Sequence, residues 1–134
     1  MVFWLYFPFL YPQPKHKFAV LGCIEPKPLM LFIDTDINPY INNNDVRRAH
    51  HLVVAVADHA FLDYDSWLDC SDPVGYDLKA LCAEVKKAPS TIRGRLSDGV
   101  KAQAIACIGS SALWPLAKAT PFVNGLKACT PYEC

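Results

Sequence analysis

The chain has no run of 18 or more apolar residues, so no segment reads as a membrane-spanning helix. It has no surplus of one charge, because thirteen basic and thirteen acidic side chains cancel. Without a global field to draw in polyanions, any nucleic-acid site has to be a local patch. It has no CxxC pair, which argues against a cysteine zinc site. It has no HExxH and no EF-hand loop. GxSxG is absent, and so is a glycine-rich loop joining a strand to a helix, which removes the usual nucleophile elbow and phosphate cradle. The opening stretch MVFWLYFPFLYP lacks a basic start and a small-residue cleavage site, and Pro8 interrupts it. Its aromatics (Phe3, Trp4, Tyr6, Phe7, Phe9 and Tyr11) suit a buried strand, and a cytoplasmic protein is expected.

What is present is globular. Of 134 residues, 52% are hydrophobic and 19% charged, which fits one domain with one core (residues 1 to 134) rather than a disordered chain. The six cysteines are expected to stay reduced. Cys23, Cys70, Cys82 and Cys107 lie in apolar runs, where a thiol acts as a small hydrophobe; Cys70, Cys82 and Cys107 are expected to be buried. Cys129 and Cys134, in the tail, are the ones most open to oxidation.

Residues 2 to 11 read as a first strand and YPQPKH as a loop. KFAVLGCI, LMLFIDTDI, HHLVVAVAD and SWLDCS follow as strands two to five, with a loop at NPYINNNDVRR. After Tyr76 the period changes. Leu78, Leu81, Cys82 and Val85 fall at helical spacing behind the N-cap candidate Asp77. Ser97 then opens a second helix, expected to end at Gly109. Strands first and helices last predict a mostly β protein. The expected fold is a small antiparallel barrel or curled sheet over about residues 2 to 76, with helices on one side over about 77 to 116 and a loose tail at 117 to 134.

Residues 50 to 71 hold three of the four histidines, four aspartates, two serines and a cysteine. His50 and His51 are adjacent, so on a strand they point to opposite faces and cannot chelate together. They are expected to be solvated residues at a strand entry, with no metal and no cofactor bound. A metal-dependent hydrolase built on the histidines is the least favoured class. RNA cleavage without metal remains, since it asks only for a base, an acid and a donor or cation at the phosphate. The candidates are Lys15, His16 and Lys17; Asp34, Thr35 and Asp36; and His59 with Asp65 and Ser66. Each also has a plain structural reading: an exposed loop tip, turn chemistry at a strand end, and a capped turn.

The succession KHKFAVLG, PLMLFIDTDIN, SWLDCSDPVGYD and IRGRLSDGVKAQAIACI resembles the MazF/PemK toxins of bacterial toxin–antitoxin systems. GRLS at 94 to 97, opening an apolar-periodic helix, is its most specific piece, and the likeness covers roughly residues 2 to 113. The resemblance implies a small SH3-like barrel with a C-terminal helix, usually a homodimer. It implies metal-independent cleavage of single-stranded RNA, and inhibition by an antitoxin protein. By position it puts Lys15, His16 and Lys17 in the loop that carries a catalytic basic residue in the family and Thr35 near the catalytic hydroxyl, so His16, Lys17 and Thr35 are the first choice for catalysis; the residues themselves, not the resemblance, offer His59, Asp65 and Ser66 as the second. The chain departs from the family pattern at Asp69, which stands where some members carry an arginine, and in having Lys or His rather than Arg in the first loop. Those departures imply an alternative, a barrel that binds protein or nucleic acid without cutting.

Overall fold

The computed structural model describes residues 1–10, 13–35 and 44–128. Strands β1 (Val2–Phe7), β2 (Lys15–Cys23) and β3 (Leu29–Asp34) come first. A one-turn helix α1 (Asp45–Arg48) precedes β4 (His51–Val54), β5 (Ser66–Asp69) and the two-residue β6 (Val74–Gly75). Helix α2 (Leu78–Lys87), strand β7 (Ile92–Gly94) and helices α3 (Asp98–Gly109) and α4 (Leu116–Ala128) complete the order. The sequence expectations for Tyr11, Asp36, Cys129, Cys134 and the loop at 38 to 43 lie outside the described residues.

The seven strands form one sheet in the order β4-β5-β3-β2-β1-β7, with β6 paired to β3, and every pairing is antiparallel. The sheet does not close. Among the described residues its edges are β4, paired only to β5, and β7, paired only to β1. The expected antiparallel sheet and C-terminal helices are present, but the protein is mixed α/β rather than mostly β, and the open sheet is covered by helices on both faces rather than one. The reason lies in β1 and β3. Val2 and Phe3 are adjacent and both buried, as are Leu29, Met30 and Leu31. Successive strand residues point to opposite faces, so each run needs two covering layers.

One layer packs Val2, Val20, Leu31, Ile33 and Leu68 against Val100, Ala104 and Ile108 of α3 and Phe122 and Leu126 of α4. The other packs Phe3, Leu5, Phe7, Ala19 and Met30 against Leu81 and Val85 of α2. Asp77 caps α2 through its Oδ2, which accepts from the Ala80 amide at 2.9 Å, and Ser97 caps α3 by accepting from Val100 at 3.3 Å. Both caps and both helix ranges match the sequence reading. The apolar face of α2 is narrower than expected, since Leu78 and Cys82 are exposed.

The tail, expected to be loose from 117, is the helix α4. Phe122 is fully buried, and its ring meets Trp114 edge-on at 5.1 Å. Trp114 in turn donates from Nε1 to the Cys70 carbonyl at 2.7 Å. α4 approaches β2 at an irregularity in the β2–β3 register near Gly22. A Cβ on Gly22 would sit 2.2 Å from the Phe122 ring, and one on Gly125 would sit 1.9 Å from the Gly22 carbonyl oxygen. Only two facing glycines allow that approach. The cysteine expectation holds in part: Cys23, Cys70, Cys82 and Cys107 are free thiols, but only Cys23 and Cys70 are buried, Cys82 is exposed and Cys107 is half-buried.

Candidate active site

The β1–β2 hairpin sets Tyr6 opposite His16, Leu5 opposite Lys17 and Trp4 opposite Phe18. Lys15 and His16, expected in the loop YPQPKH, are thus with Lys17 the first three residues of β2. Alternation sends His16 to the face that carries Tyr6, Trp4 and Phe18, and Lys17 to the other. The His16 ring stacks on Trp4 (5.7 Å between centroids, 18° between planes) and meets Tyr6 at 5.3 Å. The Lys17 ammonium is paired with the Asp34 carboxylate and lies 4.6 Å from the centre of the Phe32 ring. Burial lowers the Lys17 pKa to about 8; nearby Lys15 adds to the effect and Asp69 opposes it.

These strand ends border a cleft of about 440 Å³. His16, Lys17, Asp34, Thr35 and Ser66 all line it, as do Asp63 and Tyr64. Thr35 is the residue after β3 and is exposed. The cleft thus joins the three first-choice residues, His16, Lys17 and Thr35. Its chemistry is an exposed imidazole, an exposed hydroxyl, a half-buried ammonium–carboxylate pair and aromatic walls. A smaller cleft of about 220 Å³, lined by Arg95, Ser97 and Lys101 among others, contains none of the six candidate residues.

The second-choice residues are not brought together. His59 is 2% exposed, behind the cleft. Its Nδ1 sits 2.7 Å from the Ala55 carbonyl and its Nε2 accepts from the Ser97 amide at 3.0 Å. Both ring nitrogens are therefore used in tying the β4–β5 connection to the start of α3. Asp65 accepts from the Val56 amide at 2.9 Å and holds the 3-10 turn at Val56–Asp58. Ser66 lines the cleft but is buried, and its hydroxyl donates to the Tyr64 carbonyl at 3.0 Å.

His50 and His51 are not solvated, as expected from the sequence, but buried. Their Nδ1 atoms lie 2.6 and 2.8 Å from the carbonyls of Val46 and Arg47 in the single turn of α1, and the Arg47 carbonyl also accepts from the His50 amide at 3.1 Å. His50 Nε2 meets the Ser111 hydroxyl at 2.6 Å, and His51 Nε2 lies 3.7 Å from Asp69. Among the described residues no three metal-ligating side chains converge. No helix among them is long and apolar enough to cross a membrane.

Sequence reasoning missed the part played by Trp4, Tyr6 and Arg93. Trp4 and Tyr6 were read as buried-strand aromatics, yet Tyr6 is 47% exposed and the Arg93 guanidinium lies 5.8 Å from the Trp4 ring centre. The signal was period two: Phe3, Leu5 and Phe7 occupy one face of β1, so Trp4 and Tyr6 occupy the other. Compared with known proteins, the chain matches no family model, no curated protein and no solved structure.

Proposed function

We propose that this protein is a metal-independent endoribonuclease of the toxin type, cutting single-stranded RNA at the cleft between the ends of β2 and β3. The observation that carries the reading is the meeting of His16 and Lys17, from the start of β2, with Thr35, from the end of β3, at one 440 Å³ cleft. In the proposed reaction His16 takes the proton of a ribose 2′-OH. The oxygen attacks the adjacent phosphorus, and the bond to the 5′ oxygen breaks. The imidazolium returns its proton to the departing 5′ oxygen, which is chemistry open to an imidazole near neutral pH. Thr35 donates to the phosphate, and the Lys17 ammonium supplies positive charge beside it. The open antiparallel sheet would then be a variant of the SH3-like barrel, acting in the cytoplasm as a homodimer and blocked by an antitoxin protein.

One observation favours the alternative, a barrel that binds without cutting: Lys17 is already neutralised by Asp34. A single assay separates the two. Purified protein is incubated with a long single-stranded RNA and a DNA of the same sequence, in EDTA. Cleavage of the RNA alone, leaving 2′,3′-cyclic phosphate and 5′-OH ends, supports the ribonuclease. Intact RNA with measurable binding supports the alternative. Cleavage abolished by EDTA would contradict both and favour a metal-dependent hydrolase.

A further inference from the structure

The face of the sheet beside the cleft carries a row of four flat groups from three strands. Arg93 of β7 lies over Trp4 of β1, Trp4 stacks with His16 of β2, and His16 meets Tyr6 of β1. Arg93 and His16 are exposed, Trp4 is half-buried and Tyr6 is 47% exposed. Below them Phe18, tilted against Trp4 at 4.6 Å, and Phe61, 5.3 Å from Phe18, close the row off from the core. A buried core would not leave a tyrosine ring half in water beside an exposed imidazole. A nucleobase has a flat face that stacks on such rings, whatever its sequence, and its phosphate needs the cations alongside.

We propose that the row of Arg93, Trp4, His16 and Tyr6 is a stacking platform for the bases of single-stranded RNA, with the Tyr6 ring as its outermost seat. This rests on the reading of the cleft as an RNA site and adds how the strand is held there. Charge complementarity selects the occupant. Arg93 is exposed on the row, and Lys15, also exposed, lines the adjoining cleft with Lys17. Of the two acids that line the same cleft, Asp34 is paired with Lys17 and Asp63 is exposed. A base seated on Tyr6 would lie against His16, which lines the cleft. An acidic peptide would find the cations but would leave the aromatic faces unused.

The test uses the full chain and a fluorescent single-stranded 2′-O-methyl oligoribonucleotide, which lacks the attacking hydroxyl and stays intact. Binding is read by anisotropy for wild type, Tyr6→Ala, Tyr6→Phe and Trp4→Ala, beside an abasic strand of equal length. Loss of a stacked base costs on the order of tenfold to a hundredfold in affinity. The expected result is that loss in Tyr6→Ala, near-wild-type binding in Tyr6→Phe, and no effect of Tyr6→Ala on the abasic strand. Tyr6 is exposed, so its variants remain informative even where Trp4→Ala fails to fold. Unchanged binding in Tyr6→Ala, or equal loss on the abasic strand, would overturn the platform. Wild type that binds no oligonucleotide but retains an acidic peptide would overturn it in favour of a protein partner. Binding that follows the platform pattern without any cleavage would leave the platform standing and remove only the ribonuclease.

Discussion

Replacing Gly125 with alanine should destabilise the protein, although it sits inside a helix where alanine is ordinarily the better residue. Intrinsic propensity favours Gly→Ala in a helix interior by about 1 kcal/mol. Here the new Cβ would lie 1.9 Å from the Gly22 carbonyl oxygen, 2.9 Å from its carbon and 3.3 Å from the Cys23 Cα. All three are backbone atoms of a paired strand and cannot turn aside. Contact between a carbon and an oxygen settles at about 3.3–3.6 Å, so α4 would have to withdraw by roughly 1.5 Å. That withdrawal loosens Phe122 and Leu126, which are 0% and 4% exposed. Overpacking of this kind costs about 1–3 kcal/mol, and each loosened side chain forfeits part of its ~1.5–3 kcal/mol of burial. The net expectation is a loss of about 2 kcal/mol, lowering Tm by roughly 6–8 °C for a domain of this size. Gly99→Ala in α3 is the matched control, since a Cβ there meets nothing within 4 Å. Urea and thermal unfolding followed by circular dichroism compare the two. Gly125→Ala as stable as wild type, or more so, would show that α4 does not rest on β2.

Further outcomes follow from the buried polar groups. His59→Ala removes the partner of the Ser97 amide and of the Ala55 carbonyl, and unfolding should show a loss of about 2–4 kcal/mol. In timed alkylation of the folded protein at neutral pH, Cys82 should react and Cys70 should react only on unfolding. The Cys70 thiol donates to Cys107 and holds its pKa below the usual thiol value, so Cys107 should keep its reactivity at mildly acidic pH. Lys17 binds its proton less tightly folded than unfolded, its pKa falling from 10.5 to about 8. The unfolded chain therefore holds the extra proton between those values, and stability should gain as pH rises from about 8 toward 10.5. Denaturation across that range should show the gain in wild type and not in Lys17→Met.

Much of this architecture is legible locally. Asp77 and Ser97 announce α2 and α3 because a side-chain oxygen followed by an apolar period is a local signal. The continuous run at Leu29–Ile33 signals burial on both faces, but not which helix supplies each cover. α4 was hidden because Pro121 lies inside it and its stability comes from Phe122 meeting a glycine a hundred residues earlier. β7 carries no local signal, because three residues hold little pattern and its pairing with β1 is set by tertiary packing. At the site, strand order brought His16, Lys17 and Thr35 to one cleft, whereas nearness in sequence did not do the same for His59, Asp65 and Ser66. Those three project to a helix cap, a turn amide and a neighbouring carbonyl. Alternation along β1 held the clue to Trp4 and Tyr6, which an aromatic count alone obscures.

The measurement that bears most directly on the proposed site is the cleavage rate of single-stranded RNA in EDTA by wild type, His16→Ala and His59→Ala, at a temperature where all three remain folded. His16 lines the cleft, and His59 is buried behind it with both nitrogens engaged. Loss of a general acid–base group costs on the order of a hundredfold or more. The account predicts that loss in His16→Ala and a rate within about threefold of wild type in His59→Ala. A His16→Ala protein that cuts as wild type does, beside an inactive but folded His59→Ala, would contradict it.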